Sequence, residues 1–532
     1  MEKARGKILW GLAIVLLAGL YYYFALPAIN IHSVGFWIFL ILILAAIMGV
    51  YILRKKYTLY EIKESKVTKV MGIILILIIA VFLIGALLSS PIVNAKKYQP
   101  LLKVDAGEFT KDIEELSYDQ IPLLDRDSAT LLGNRKMGSM IDMASQFEVD
   151  DIYSQINYKD KPVRVSPLRY ANPIKWLTNQ SEGIPAYIMI DMATQTTELV
   201  KLKEGIKYST SEYFNRNIYR HLRFNYPTYI FNELSFEIDE EGTPYWVCPV
   251  KKFNIGLFGG ETVGRVVLCN AITGETIDYA IEDVPTWIDR AYSAELLIEL
   301  YDYYGTLKHG FINSILGQRD CLVTTDGYNY LAIDDDVWVY TGVTSVSGDE
   351  SNVGFVLMNQ RTMETKFYAI EGATEFSAMD SAEGQVQNLK YEATFPLLLN
   401  ISGEPTYFIA LKDNAGLVKK YAMVNIQKYQ VVGIGNTVSE CEKEYQKLLE
   451  KEGIQDKEDI SNRQTIEGKI TKIAQGVVNG NSHYFIMVEG SEEIFDVSVV
   501  DFIDIIKYEV GDDISLEYKS GIKMNTVTKI GE

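Results

Sequence analysis

The sequence predicts an α+β protein with three N-terminal transmembrane helices, repeated helix-plus-antiparallel-sheet units, and a small C-terminal β-barrel, oligonucleotide/oligosaccharide-binding-like or SH3-like. Three observations lead to this expectation. Long uncharged apolar runs fill most of residues 1–95, two turn strings recur between residues 183 and 425, and beyond Thr465 the chain breaks into short strands punctuated by glycine. The 532 residues are 48% hydrophobic and 23% charged, which excludes wholesale disorder and a pure coiled coil.

No Asp, Glu, Lys or Arg occurs from Ile8 to Leu53. About 20 apolar residues suffice for one crossing of the hydrocarbon core, so the run predicts two spans, at 8–26 and 35–53. Between them Pro27 to Ser33 form a turn, with Tyr21, Tyr22, Tyr23 and Trp37 placed at headgroup level. A third span is expected at 70–88. Lys3, Arg5 and Lys7 precede the first span, and Arg54, Lys55, Lys56, Lys63, Lys66 and Lys69 fill the second loop. The positive-inside tendency puts both in the cytoplasm and everything from about residue 90 outside. The formal net charge of -19 then divides in two: nine Lys/Arg against three Asp/Glu give residues 1–95 a charge of +6, and 42 against 67 give the remainder -25. So acidic an external body predicts no nucleic-acid partner.

Five segments follow from these patterns: a three-span anchor (1–95), a polar approach segment (96–160), α+β repeats (161–436), a helix and charged linker (437–464), and the barrel (465–532). The approach segment is expected to hold helices near 110–116 and 137–147. In the repeats, Gly183-Ile184-Pro185-Ala186-Tyr187 recurs as Gly242-Thr243-Pro244-Tyr245-Trp246 and Gly403-Glu404-Pro405-Thr406-Tyr407, each handing a turn over to a strand. A second string, Asp191-Met192-Ala193-Thr194, recurs as Asn270-Ala271-Ile272-Thr273 and Asn359-Gln360-Arg361-Thr362. An Asp or Asn followed by Thr bonds nearby backbone groups and makes a tight turn between strands. Helices are expected at 211–224, 286–304, 377–389 and 438–452.

The unit from Phe236 through Gly242-Thr243-Pro244-Tyr245-Trp246 to Asn270-Ala271-Ile272-Thr273-Gly274-Glu275 resembles the PepSY domain. The likeness covers about 45 residues at its fullest and elsewhere only the turn motifs. It departs from the family pattern at Asn270, where Asp is usual, in the aromatic one residue early after Pro244, and after Asp191, where Gly-Glu is missing. The resemblance implies an extracytoplasmic module of the kind associated with propeptides, peptidase inhibition and envelope regulation, and it carries no catalytic residues.

Motifs for known chemistry are sparse. His32, His221, His309 and His483 have no partner at helical spacing, and neither a G-x-S-x-G elbow nor a phosphate loop occurs. The run Ile255-Gly256-Leu257-Phe258-Gly259-Gly260 reads as a hairpin tip, suited to ordinary packing or to contact with a membrane or partner. Asp334, Asp335 and Asp336 lack the spacing of a calcium loop and read as a solvated strand end. Cys248 and Cys269 suit either a disulfide or two buried thiols. One constellation stands out. Arg216, Arg220 and Arg223 share a face of the helix expected at 211–224, where they serve either internal salt bridges to Asp/Glu or contact with an anion or partner.

These readings predict no cofactor and no metal. They point to a membrane-anchored extracytoplasmic scaffold or regulator of the cell envelope that contacts the lipid bilayer and a protein partner, non-enzymatic in character. The alternative is an envelope hydrolase or transferase, which would be marked by a cleft holding a perturbed carboxylate or His221.

Overall fold

The computed structural model describes residues 2–115, 121–333, 335–345, 351–454, 464–478, 481–499, 501–521 and 524–531. Three helices open the chain, Glu2–Ala25, Val34–Lys55 and Lys66–Ser89. Two of them, Val34–Lys55 and Lys66–Ser89, are long and apolar enough to cross a membrane, whereas the apolar part of the first is the shorter stretch Trp10–Ala25. Their ends follow local chemistry. Lys56 closes the second helix in the left-handed conformation, and Ser65 caps the third by accepting from the Thr68 N–H.

Among the described residues four larger, mainly antiparallel sheets follow, beside a small pairing of Ser351–Asn352 with Gly372–Ala373. Sheet I pairs Ser154–Asn157, Pro162–Tyr170, Ile184–Asp191 and Thr197–Ile206 in sequence order, and Phe147–Val149 also pairs with Pro162–Tyr170. Sheet II is the meander Ser235–Ile238, Pro244–Ile255, Gly259–Asn270 and Thr276–Ala280. Sheet III repeats it with Asn329–Ile333, Asp336–Ser345, Gly354–Asn359 and Thr365–Tyr368, adding Leu322–Thr324 beside the second strand and Asp105–Ala106 parallel to the last. Sheet IV repeats it with Leu397–Ile401, Glu404–Lys412, Val418–Asn425 and Val432–Gly435, adding Glu392–Ala393. The segment 96–160 therefore supplies strands to sheets I and III. A helix precedes each sheet, in order Arg126–Gly138, Ile218–Asn225, Ala294–Thr306 and Glu375–Gln385, and Val438–Lys451 follows the fourth.

Neighbouring sheets share cores because both faces of the inner sheets are covered. Along sheet II, Trp246, Cys248 and Val250 face a core shared with Val165, Ile188 and Ile190 of sheet I. The alternate residue Val247, with Val266 and Leu268, faces Leu297 and Leu300 and, through them, Val339 and Val356 of sheet III. Tyr340, Phe355 and Leu357 point the other way, into a core with Tyr407 and Phe408 of sheet IV and Ala378 of its helix. A strand covered on both faces is apolar at consecutive positions, which is why alternation in the sequence is weak.

The second turn string folds alike in sheets I, II and III. Asp191 Oδ1 accepts from the N–H groups of Ala193 and Thr194, Asn270 Oδ1 from those of Ile272 and Thr273, and Asn359 Oδ1 from those of Arg361 and Thr362. Four residues after the Asp or Asn, Gln195, Gly274 and Met363 all have φ between 60° and 76°. The first string is less uniform. Gly242 and Gly403 lead into the second strand of their meanders, whereas Gly183 leads into the third, because the helix Pro173–Asn179 intervenes in sheet I.

Helix boundaries shift from the sequence expectation toward the caps. The helix expected at 211–224 is Ile218–Asn225, since the Asn217 side chain accepts from the Arg220 N–H and Phe214 sits at φ +50°. Ser293 starts Ala294–Thr306 and Thr374 starts Glu375–Gln385. Within the expected 137–147 only the short helix Ile141–Ala144 forms, and the longer helix lies before it, started by Asp125 and ending at Gly138. Near 110–116 the helix is the short Phe109–Asp112, and residue 116, like most of the linker from 455, lies outside the described residues. The last five strands, Gln464–Val478, Asn481–Val488, Phe495–Ser498, Asp513–Lys519 and Asn525–Ile530, close a barrel in the order first, second, third, fifth, fourth, with the third and fifth parallel. Lys519 joins the barrel to the preceding helix through Glu442 at 2.6 Å.

The shared turn geometry predicts different outcomes at equivalent positions. Met363→Gly relieves a left-handed side-chain residue but strips a half-buried side chain from the core between sheets II and III, so the two effects are expected to cancel to within about 1 kcal/mol. Gly274→Ala drives a Cβ into the Tyr208 ring and is expected to destabilise by about 2 kcal/mol. Thermal unfolding of the purified variants measures both outcomes.

Candidate functional site

The three arginines flagged by the sequence lie where the body meets the helices. They do not share one helix face: Arg216 ends a separate 3-10 turn, Phe214–Arg216, and only Arg220 and Arg223 belong to Ile218–Asn225. Nor do they form salt bridges, since among the described residues no carboxylate lies within 4 Å of them. Their partners are backbone carbonyls. Arg216 Nη1 donates to Gln180 O at 2.6 Å. Arg220 Nε donates to Tyr23 O at 3.4 Å, and its guanidinium lies 4.6 Å from the centre of the Tyr23 ring. Arg223, 9% exposed, donates through Nε to Leu26 O at 2.9 Å and through Nη1 to the carbonyls of Tyr226, Pro227 and Tyr229.

Tyr23 and Leu26 stand at the end of the first helix, where the last carbonyls have no intrahelical N–H and carry the negative end of the macrodipole. Two guanidiniums satisfy that end from outside. Around them, the Phe224 ring packs against Tyr22 and Tyr23, and the Ile29 N–H donates to Pro227 O at 2.7 Å. Burial lowers the pKa of Arg223, yet a guanidinium stays charged at any physiological pH.

The glycine-rich hairpin grips the third helix. Ser89, 2% exposed at that helix's end, donates its hydroxyl to Gly85 O at 2.6 Å and accepts from the N–H groups of Leu257 (2.7 Å) and Phe258 (3.1 Å). A Cβ on Gly256 or Gly259 would collide with Ser89, so the approach requires glycine there. Tyr98 closes the contact by donating to Ser89 O at 2.6 Å. Phe258 reaches past the helix end to meet Phe82 at a tilt, with ring centres 5.3 Å apart, seven residues or about 10 Å down the helix from Ser89. From the first loop, His32 Nδ1 donates to Leu257 O at 2.7 Å while its ring stacks on Phe253. The hairpin tip is thus seated on the chain's own helices.

The remaining candidates are structural in their surroundings. His221 Nε2 donates to Gly274 O at 2.7 Å, and its ring lies 4.5 Å from that of Tyr208. Asp336 accepts both Arg361 Nε and Nη2, at 2.6 and 2.7 Å, so it is a largely buried ion pair where a solvated strand end was expected; Asp334 lies outside the described residues. All four cysteines are free, buried thiols. Burial pushes the carboxyls of Glu237 and Asp289 up, Asp289 further because Glu237 is beside it. These two are 0% and 1% exposed, and Glu237 accepts from the Asp289 N–H while Asp289 accepts from the Asn157 N–H, stitching sheets I and II. They are perturbed carboxylates, but closed off from any substrate. The recess lined by Leu123, Asp125, Asn329 and Phe395 has a volume of ≈ 20 Å³, room for about one water. Among the described residues no group of three or more His, Cys, Asp or Glu is placed to hold a metal ion. No protein-family model matches the chain, and neither does any curated protein.

Removing Arg223 leaves the half-buried carbonyls of Leu26 and Tyr229 without a donor and takes one of two donors from those of Tyr226 and Pro227, so Arg223→Ala is expected to cost about 2 kcal/mol. Arg223→Lys is expected to recover little, because an ammonium lacks the planar fork that serves Leu26 and Tyr229 together. Hydrogen exchange at residues 26–32 and 226–231 measures the loosening. A pH effect belongs to His221. Burial lowers its folded pKa below the ordinary 6.5, so the neutral ring is favoured in the fold, and its stabilisation, full above 6.5, is lost as pH falls through the folded value. Thermal scans from pH 7 to 5 should show a smaller decline in His221→Phe than in the parent.

Proposed function

We propose that this protein is a membrane-anchored extracytoplasmic scaffold or regulator of the cell envelope that binds a protein partner and performs no chemistry itself. The observation that carries the reading is the junction described above. A body joined to apolar helices through buried contacts keeps a fixed attitude to the bilayer, which suits presentation of a binding surface.

The anchoring part rests on the helix surfaces. Leu16, Leu17, Ile76, Leu83 and Leu87 are each more than half exposed, and an apolar exterior of this kind needs an apolar solvent. The same holds for Glu2–Ala25, which we count as a third span because its Tyr21 ring stacks on Phe39 of the second helix at 5.5 Å. The distribution of lysine and arginine favours a cytoplasmic N-terminus and an external body. The recurrence of one turn geometry in sheets I, II and III supports PepSY-like units, and the barrel's strand order with one parallel pair favours the oligonucleotide/oligosaccharide-binding-like form over the SH3-like one.

The barrel offers the partner surface. Ile503, Ile506 and Val510, on the segment between its third and fourth strands, are 56–60% exposed. Isolated apolar side chains are ordinary on a surface; three within eight residues form a patch that a partner would bury. In-cell crosslinking followed by mass spectrometry is expected to capture one defined envelope protein, lost in the double variant Ile503→Asp, Ile506→Asp. Protease added to intact cells is expected to digest residues from about 100 onward. Protection of that region would overturn the orientation, and capture of no partner would overturn the scaffold reading.

A further inference from the structure

We infer that the body also rests directly on the lipid, through two apolar prominences that flank the helix ends and enter the outer leaflet. The inference rests on the anchoring proposed above and adds a contact that the helices do not provide.

The first prominence is the segment following Ala294–Thr306. Its Phe311 packs in a small cluster with Ala95, Tyr98, Ile255 and Leu307. Ala95 and Tyr98 lie on the helix Pro91–Tyr98 that directly continues the third span, and Tyr98 is bonded to Ser89, the last residue of that span. The segment therefore leaves the protein at the level of the helix end. It then turns three large side chains outward: Ile312 is 74% exposed, Ile315 57% and Leu316 81%. Lys308 and Arg319 stand exposed on either side, and Asp320, 3.5 Å from Arg319, also meets His309 Nε2 at 2.9 Å, so the shoulders carry two fixed cations against one carboxylate. An apolar tip between basic shoulders is the composition of an interfacial membrane contact, with the side chains in the acyl boundary and the cations among phosphates.

The second prominence lies beside the first span. Phe214 is 66% exposed and sits at φ +50°, a conformation that is costly for a bulky residue. Its carbonyl accepts from Arg220 Nη1 at 3.2 Å, and the same arginine covers the ring of Tyr23 in the last turn of the first helix. The Phe214 ring lies 6.0 Å from that of Trp176, whose short helix, Pro173–Asn179, exposes Ile174 and Leu177 at 72% and 63%. Strain that turns an aromatic ring outward, two hydrogen bonds through Arg220 from the end of the first helix, has a physical return if that ring enters the lipid.

Both prominences lie on segments tied by hydrogen bonds or packing to the ends of different spans, so one bilayer surface serves both. Continuity with the span ends and the basic shoulders select lipid as the occupant over a protein, which would have to fit between the body and the headgroups.

The test uses the full-length protein in nanodiscs of phosphatidylcholine and phosphatidylglycerol. Its native cysteines are buried, so an environment-sensitive fluorophore is attached at single cysteines introduced by Leu316→Cys and Phe214→Cys, with Leu77→Cys in the third span and Ile506→Cys on the barrel as references. Lipids carrying a nitroxide on the acyl chain are expected to quench the probes at 316, 214 and 77 by roughly twofold or more and to spare the probe at 506, which aqueous iodide quenches instead. Quenching at 77 with iodide access at 316 or 214 equal to that at 506 would overturn the inference and leave the anchor standing. Lack of quenching at 77 would overturn the anchor and the inference with it.

Discussion

The structure depends on how the open end of a helix is closed. Every helix leaves its last carbonyls without intrahelical partners, and here the first helix hands Tyr23 O and Leu26 O to Arg220 and Arg223. These arginines come from a segment some 200 residues later in the chain, so satisfying the helix end also fixes the body. Arg223 spends its second nitrogen on three carbonyls of the loop that follows its own helix, which holds that loop where Ile29 and Asn30 can bond to Pro227 and Thr228. A salt bridge there would neutralise the guanidinium yet leave the carbonyls bare. Bonding to carbonyls solves both problems with one side chain.

At the third helix the roles are the same, with a side chain in place of the carbonyls: the helix supplies the acceptor and the body the donors. Ser89 donates its hydroxyl inward to Gly85 O and accepts two N–H groups from the hairpin tip. A hairpin reversal leaves N–H groups unpaired at its tip, and an apolar tip has no side chain to serve them. The same serine that ends the helix therefore completes the hairpin. Glycine at 256 and 259 admits the contact, and Phe258 extends it down the helix toward Phe82.

Much of this was legible in the sequence, for reasons that can be stated residue by residue. The apolar runs and the Asx-type turns are local signals, and they appear where the composition placed them. The turn beginning at Asp191 folds like those at Asn270 and Asn359 although it lacks the following Gly-Glu, because the side-chain oxygen and the left-handed fourth position set the geometry and Gln195 adopts the latter without glycine. Helix starts were misjudged where a cap outranked periodicity: Ile288 and Ala291 are buried and fit a helical spacing, yet the helix waits for Ser293. The pairing of 147–149 and 154–157 with sheet I, and of 105–106 with sheet III, is a long-range choice with no local mark. The arginine constellation was visible as a cluster, but its partners were carbonyls, which every residue possesses and no sequence pattern advertises.

Sheet II joins these levels. Its central hairpin, Pro244–Ile255 and Gly259–Asn270, carries at one end the tip seated on Ser89 and at the other Asn270, which opens the turn to the last strand. One face of that hairpin is core shared with sheet I and the other is core shared with the helix Ala294–Thr306 and sheet III. Close-packed side chains do not slide freely past one another. The hairpin therefore cannot tilt on the third helix without disturbing two cores at once, and the helix and the body are stiffly joined through it. Stiffness of this origin needs no bulky interface between helices and body. Ser89 with the few contacts around it is enough at the third helix, because the hairpin that receives it is already held on both sides.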